Sequence, residues 1–254
     1  MILQTVRVQV CGRLAVVLDG RRCDDGLPGR QGRIVFVYLV LNRERDVARD
    51  ELTDVLWPDH PPAAAQATLS AVISRLRRAL GPDVLQGGAT PRLLLPPDAF
   101  VDLEAARAAL HRAECAIANR AWTDAWAPAR VALHTATRGF LPGEHANWIA
   151  SVRANIEEMC VRAHECVAAT GLGLGGAEAA AAERSGRALI KLAPYRESGW
   201  RFLISSLEAQ GNLAEALVTY ELLRRTLREE LGTAPDPATQ ALHARLLAAG
   251  TAKA

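Results

Sequence analysis

Leu69, Ile73, Leu76 and Leu80 recur at intervals of four, three and four, so a helix over 63–80 carries one unbroken apolar stripe. The stripe must be buried, and Gly81-Pro82 stops the helix where the stripe ends. The arc left facing outward carries Ala67, Ala71, Ser74, Arg75 and Arg78, with Thr68 and Arg77 on its flanks. A face this small, polar and basic suits the major groove of DNA, where a helix needs a narrow outer surface and donors for guanine edges and phosphates. Arg75 is the candidate for base contact, with Arg77 and Arg78 nearer the phosphate backbone. Taken alone, an Arg-Leu-Arg-Arg run is more often the solvated edge of an amphipathic helix. The neighbouring segments decide.

Upstream, Val6, Val8 and Val10 alternate with polar residues, and Gly12 and Gly20 bracket Leu14 to Leu18, the pattern of short half-buried antiparallel strands between Thr5 and Arg22. Ile34 to Leu41 is β-branched and apolar throughout, so propensity favours a strand, but its place before two further helical segments makes it a helix. A short helix opening at Asp46 or at Arg49-Asp50 puts Leu52, Val55 and Leu56 on one side and ends at Trp57-Pro58. Downstream, Val84-Leu85 and Arg92 to Leu95 flank a turn over 87–90 and read as a hairpin. Pro96-Pro97 marks the expected boundary between a domain over 1–97 and a second over 98–254.

Beyond Asp102 nearly everything is helical in pattern, with breaks at Phe140 to Gly143, Gly171 to Gly176 and Gly232 to Pro237. The glycine-rich 171–176 lacks the G-x-x-x-x-G-K spacing and a preceding strand, so it is expected to be a flexible connection, not a phosphate loop. Trp200, Leu203, Gly211, Ala216 and Tyr220 stand at tetratricopeptide-type offsets, large residues filling the gap between two helices and Ala216 allowing close approach. Ala129 with Leu133 and Ala188 with Leu192 are weaker echoes. About three helix pairs and a terminal helix over 237–247 follow, stacked because a single pair cannot bury its face.

Net charge is only +2, so the overall balance neither requires nor excludes nucleic acid. The local balance is one-sided: between 63 and 92, Arg75, Arg77, Arg78 and Arg92 face the lone acid Asp83. The five cysteines are odd in number and lack a C-x-x-C pair, which suits reduced thiols in a cytoplasmic protein. Cys160, His164 and Cys166 share one helix, but Cys166 points away from the other two, and packing is the better account than a metal site. No H-E-x-x-H and no G-x-S-x-G is present, and the paired glutamates 157–158 and 229–230 diverge around their helices. Neither catalysis nor a cofactor is expected. The longest apolar run, Ile34 to Leu41, falls far short of the roughly 20 residues of a membrane helix, and the start has no leader pattern.

The run Arg49-Asp-Glu-Leu-Thr-Asp-Val-Leu-Trp-Pro58, followed by Ala67-Thr-Leu-Ser-Ala-Val-Ile-Ser-Arg-Leu-Arg-Arg-Ala-Leu-Gly81, resembles the OmpR-type winged helix of the Streptomyces antibiotic regulatory protein family. The tract Tyr195-Arg-Glu, then Ala214 to Arg224, then Glu229 to Pro237, resembles the bacterial transcriptional activator domain that follows it in that family. The resemblance implies an α+β winged helix-turn-helix followed by an all-α tetratricopeptide-like repeat domain. It also implies DNA contacts by Thr68, Ser74, Arg75, Arg77, Arg78 and Arg92, with Trp57 near the backbone. It further implies a transcription activator that binds direct repeats in double-stranded promoter DNA, recruits RNA polymerase and switches on a secondary-metabolite gene cluster, with self-association on DNA left open. Thr90-Pro91 departs from the family's glycine and tyrosine before the wing arginine, stiffening the hairpin and removing a donor. The rival reading is a repeat-based adaptor whose winged helix no longer binds DNA.

Overall fold

The computed structural model describes residues 5–81 and 83–251, the side chains of 249–251 excepted. The chain divides into two compact units, 1–105 with 138–156, and 106–137 with 157–254. The expected boundary at 97/98 takes no account of the returning segment 138–156, which packs with the first unit.

In the first unit, β1 (Val6–Gln9) pairs antiparallel with β2 (Ala15–Leu18), Val8 opposite Val16, and β2 pairs with β3 (Arg21–Arg22). Alternation decides which face is inside: Val6, Val8, Val16 and Leu18 are buried, and Arg7 is exposed. The fourth strand, β6 (Phe100–Val101), lies parallel to β1 and gives the order β3-β2-β1-β6. It is two residues long, and sequence periodicity gave no sign of it. Asp102, the first residue of α4 (Asp102–Ala118), fixes this corner. Its buried carboxylate accepts from the backbone N–H of Val10 (2.8 Å), Cys11 (3.1 Å) and Leu103 (2.9 Å).

The apolar run is helical, within α1 (Gly29–Leu41), and Ile34, Val35, Phe36, Val37, Leu39 and Val40 are all buried. Burial on nearly every side overrides β propensity. α1 packs on α2 (Arg49–Leu56) and α3 (Ala65–Leu80). On α2, Leu52, Thr53 and Val55 are buried; Leu56 is only half-buried. α3 starts at Ala65 instead of 63 and is stopped by Gly81, at φ 107°, whose N–H reaches the carbonyl of Arg77 at 2.9 Å. Pro82, the other half of the expected stop, lies outside the described residues. The hairpin is shorter than expected: β4 (Leu85–Gln86) and β5 (Arg92–Leu93) pair Leu85 with Leu93 and Gln86 with Arg92, and Leu94 N–H adds a bond to Val84. Gly87, at φ 79°, turns the chain where a Cβ would stand 2.1 Å from the Thr90 carbonyl oxygen.

The returning segment is anchored by Cys11 bridging Phe140, and by Trp148, whose ring meets those of Tyr38 and Phe140 edge-on at centroid distances of 5.1 and 6.1 Å. Arg153 donates to the carbonyls of Phe140 (2.9 Å) and Leu141.

The second unit holds most of α4, α5 (Trp122–Ala136), the greater part of α6 (Asn147–Leu174), α7 (Ala179–Leu192), α8 (Glu197–Ala209), α9 (Leu213–Thr226) and α10 (Pro237–Thr251). Leu203, Leu207, Ala216 and Tyr220 are buried together between α8 and α9, Trp200 is buried in a separate cluster with Leu223 and Leu227, and Gly211 turns the chain at φ 82°. Trp200 Nε1 donates to the Pro194 carbonyl at 2.8 Å. Leu242 and Leu246 of α10 close the cluster of Leu203, Leu207, Ala216 and Tyr220.

Two expectations fail here. Residues 171–174 are helical, the last turn of α6, and the glycines serve close packing: a Cβ on Gly173 would stand 2.3 Å from the Trp122 ring, and one on Gly171 2.7 Å from the Glu178 carbonyl. The echo at Ala188 and Leu192 is also displaced, since Leu192 is 53% exposed. The close-approach position is Gly186, where a Cβ would lie 2.8 Å from the Leu203 backbone nitrogen.

Candidate nucleic-acid interface

α3 presents two opposite arcs. Ala65, Leu69, Val72, Ile73, Leu76 and Leu80 are buried, and Val72 joins a stripe that spacing had drawn without it. Ala67, Ser70, Ala71, Ser74, Arg75 and Arg78 are exposed and fall within an arc of about 140 degrees at a helix's 3.6 residues per turn. Thr68 and Arg77 are half-buried on its two edges, and Trp57 is half-buried just after α2.

The arginines differ in what they are doing. Arg75 Nε bonds only its own helix, at the Ala71 carbonyl (3.2 Å), and Arg78 has no hydrogen bond or ion pair among the described residues. Both guanidinium groups are free to project. Arg77 is engaged: its Nε donates to the Leu85 carbonyl at 3.0 Å and its Nη2 to that of Gly87, so it holds the hairpin against α3. Arg92 lies 3.6 Å from Asp46, an exposed pair that solvent and salt weaken.

Sequence reasoning missed Arg49 and Ser70. Arg49 Nη2 donates to Ser70 Oγ at 2.6 Å and to the Gln66 carbonyl at 3.3 Å, while Nη1 reaches the Gly88 carbonyl at 3.4 Å. One cation at the start of α2 thus touches the outer face of α3 and the tip of the hairpin. Its only trace in the sequence is its position at the head of the Arg49–Pro58 run.

Cys160 and Cys166 are buried; burial pushes the Cys166 thiol up to about 12 and Cys160 up, and it lowers His164. His164 Nδ1 lies 3.3 Å from Ser185 Oγ. Among the described residues no group of three metal-ligating side chains comes together, and no helix is long and apolar enough to cross a membrane.

Residues 101–247 match the bacterial transcriptional activator domain family. Nearly the whole chain is similar to regulatory protein DnrI of Streptomyces peucetius, 31% identical over 246 residues covering 87% of this chain and 85% of DnrI. It is also similar to regulatory protein AfsR of Streptomyces coelicolor, 32% identical over 252 residues covering 98% of this chain and 25% of AfsR.

The chain belongs to the Streptomyces antibiotic regulatory protein family.

These relatives are regulatory proteins. The family resemblance extends to transcriptional regulatory protein EmbR of Mycobacterium tuberculosis, 31% identical over 249 residues covering 93% of this chain and 62% of EmbR. The structure of EmbR in complex with a low-affinity phosphopeptide superposes with a TM-score of 0.80 at 27% identity, over 95% of this chain and 65% of that one. This chain therefore spans less than two thirds of EmbR and a quarter of AfsR. The shared architecture is a small N-terminal sheet with a mostly helical remainder.

Proposed function

We propose that this protein is a sequence-specific DNA-binding transcription activator whose first unit is a winged helix-turn-helix. α3 enters the major groove, and the β4–β5 hairpin serves as the wing. The observation that carries this reading is the outward arc of α3, small and polar along its middle, with the Arg75 guanidinium bonded only to its own helix and that of Arg78 unpaired among the described residues. Arg75 reads a guanine edge and Arg78 neutralises a phosphate. Ser74, Ala71 and Thr68 line the groove, and Trp57 and Arg92 lie toward the flanking backbone. Arg77 acts through the wing.

The tetratricopeptide-like pairs of the second unit offer a scaffold for protein contact. Family membership supports tandem promoter repeats as target, RNA polymerase as partner, self-association on adjacent repeats, and a secondary-metabolite gene cluster in the cytoplasm as the regulated locus.

Gel shift with promoter DNA carrying direct repeats tests the reading. Salt-sensitive binding by the intact chain, lost in the Arg75→Ala, Arg78→Ala double variant, is expected. Binding that is absent, or indifferent to both changes, would sink it and leave the adaptor reading in place.

A further inference from the structure

The two edges of α3 are not alike. The Arg77 edge meets the hairpin; the Arg75 edge opens on a cleft of roughly 590 Å³ lined by Gly26, Pro28, Gly29, Arg30, Gln31, Arg75, Arg78 and Ala79. Three of these residues are arginines and none is acidic. The first turn of α1 carries no acidic residue either, and the backbone N–H groups of Arg30 and Gln31 have no hydrogen-bond acceptor among the described residues. Cations and free N–H donors, with no acidic residue in the lining, suit an anion.

One anion stands beside it. Arg30 Nε donates to Glu144 Oε2 at 2.6 Å; the arginine side chain is 64% exposed and the carboxylate only 16%. The more exposed partner is the arginine, on the rim of the cleft, so its end of the pair is the one open to a competing anion. A duplex supplies a competing anion: a helix in the major groove lies between two phosphate backbones, and with the wing edge toward one strand, the Arg75 edge faces the other.

Resting on the DNA-binding reading above, we propose that the cleft between the start of α1 and the Arg75 edge of α3 receives a backbone phosphate of the bound duplex, and that Arg30 exchanges Glu144 for that phosphate. Glu144 then acts as a placeholder that occupies Arg30 in the free protein and disfavours binding by the amount needed to displace it.

The test compares the intact wild-type chain with Arg30→Ala and Glu144→Gln on a duplex of arbitrary sequence, because non-specific binding reports phosphate contacts directly. Loss of one phosphate contact lowers the slope of log K against log salt by about 0.9, so the advantage of wild type over Arg30→Ala should shrink roughly threefold between about 50 and 200 mM salt. Glu144→Gln should bind at least as tightly as wild type. Opposite effects of the two variants support the proposal, since a merely structural ion pair would lose the same from either side.

Equal weakening by both, or an unchanged slope in Arg30→Ala while wild type binds, would overturn the proposal and leave DNA reading by α3 intact. Failure of wild type to bind any duplex would remove both. A free phosphate ester is distinguished by titrating inorganic phosphate without DNA: Arg30-dependent binding of phosphate with no effect of Arg30→Ala on the duplex would assign the cleft to a small ligand instead.

Discussion

Arg77 Nε on α3 donates to the carbonyl of Leu85 on the hairpin at 3.0 Å, so a cation that faces outward by helical position is turned sideways to hold the backbone of the next element. In the proposed function its contribution to DNA binding is therefore indirect. Replacing Arg77 with alanine should cost about 1 kcal/mol of stability, and DNA affinity should fall as the wing loosens. The salt slope separates the two roles: it should change less in Arg77→Ala than in Arg78→Ala, whose guanidinium has no other partner among the described residues. Equal slope changes would show Arg77 on a phosphate.

Acid should loosen the α1–α2 contact through Glu51. Tyr38 Oη donates to Glu51 Oε1 at 2.5 Å and Arg45 donates to both its oxygens; mainly the Arg45 bonds hold the carboxyl at about 2, below its ordinary range. A carboxylate lowered on folding stabilises above its unfolded pKa and loses that contribution as pH falls toward the folded value. Glu51→Gln should be less stable than wild type at neutral pH, and its stability, followed by circular dichroism, should fall less steeply between about pH 4.5 and 2.

Asp102→Ala should be among the most damaging single changes, because three buried N–H groups lose their acceptor at about 1 kcal/mol or more each. Asp102→Asn should cost less. Burial pushes the Asp102 carboxyl up despite those donors, so the neutral amide avoids a desolvation penalty while keeping an acceptor for Val10 and Leu103. Urea midpoints that rank the asparagine variant below alanine would refute this account.

Gly173→Ala drives a methyl group into the Trp122 ring and should destabilise by about 1–3 kcal/mol, although alanine is the better helix former. Adding Trp122→Ala should relieve the clash, and a double-mutant cycle on thermal unfolding would show the coupling. Additive effects would mean the two side chains do not meet.

Thiol labelling at mildly alkaline pH should proceed at Cys115 first. It is exposed, 3.7 Å from His111 Nε2, whereas Cys11, Cys23, Cys160 and Cys166 are buried and the Cys166 thiol stays protonated up to about 12. Mass spectrometry after brief alkylation should find one modified site; early labelling of Cys166 would contradict its packing.

The features readable from the sequence are those in which one periodicity dominates. The α3 stripe fixed both the buried arc and the exposed arc, and valine alternation located β1 and β2. Long-range satisfaction was invisible. Nothing local to Arg77 shows that two hairpin carbonyls will bind it, and nothing near Arg49 announces Ser70, 21 residues on. Phe100–Val101 is too short for a period, and its partner is Arg7–Val8 at the opposite end of the unit. The glycines at 171 and 173 misled because glycine signals freedom and close contact alike, and only the Glu178 carbonyl and the Trp122 ring beside them show which is meant.

The returning segment around Trp148 constrains how the half proposed to read DNA could be produced alone. Cutting the polypeptide after Pro97 removes the indole that covers Tyr38 and the phenyl ring beside Cys11, along with the Asp102 carboxylate. Such a fragment keeps every residue proposed to meet the duplex yet exposes an aromatic wound on the side of α1. It should be prone to self-adhesion, and its weakness in any binding assay would reflect that missing cover rather than poor recognition.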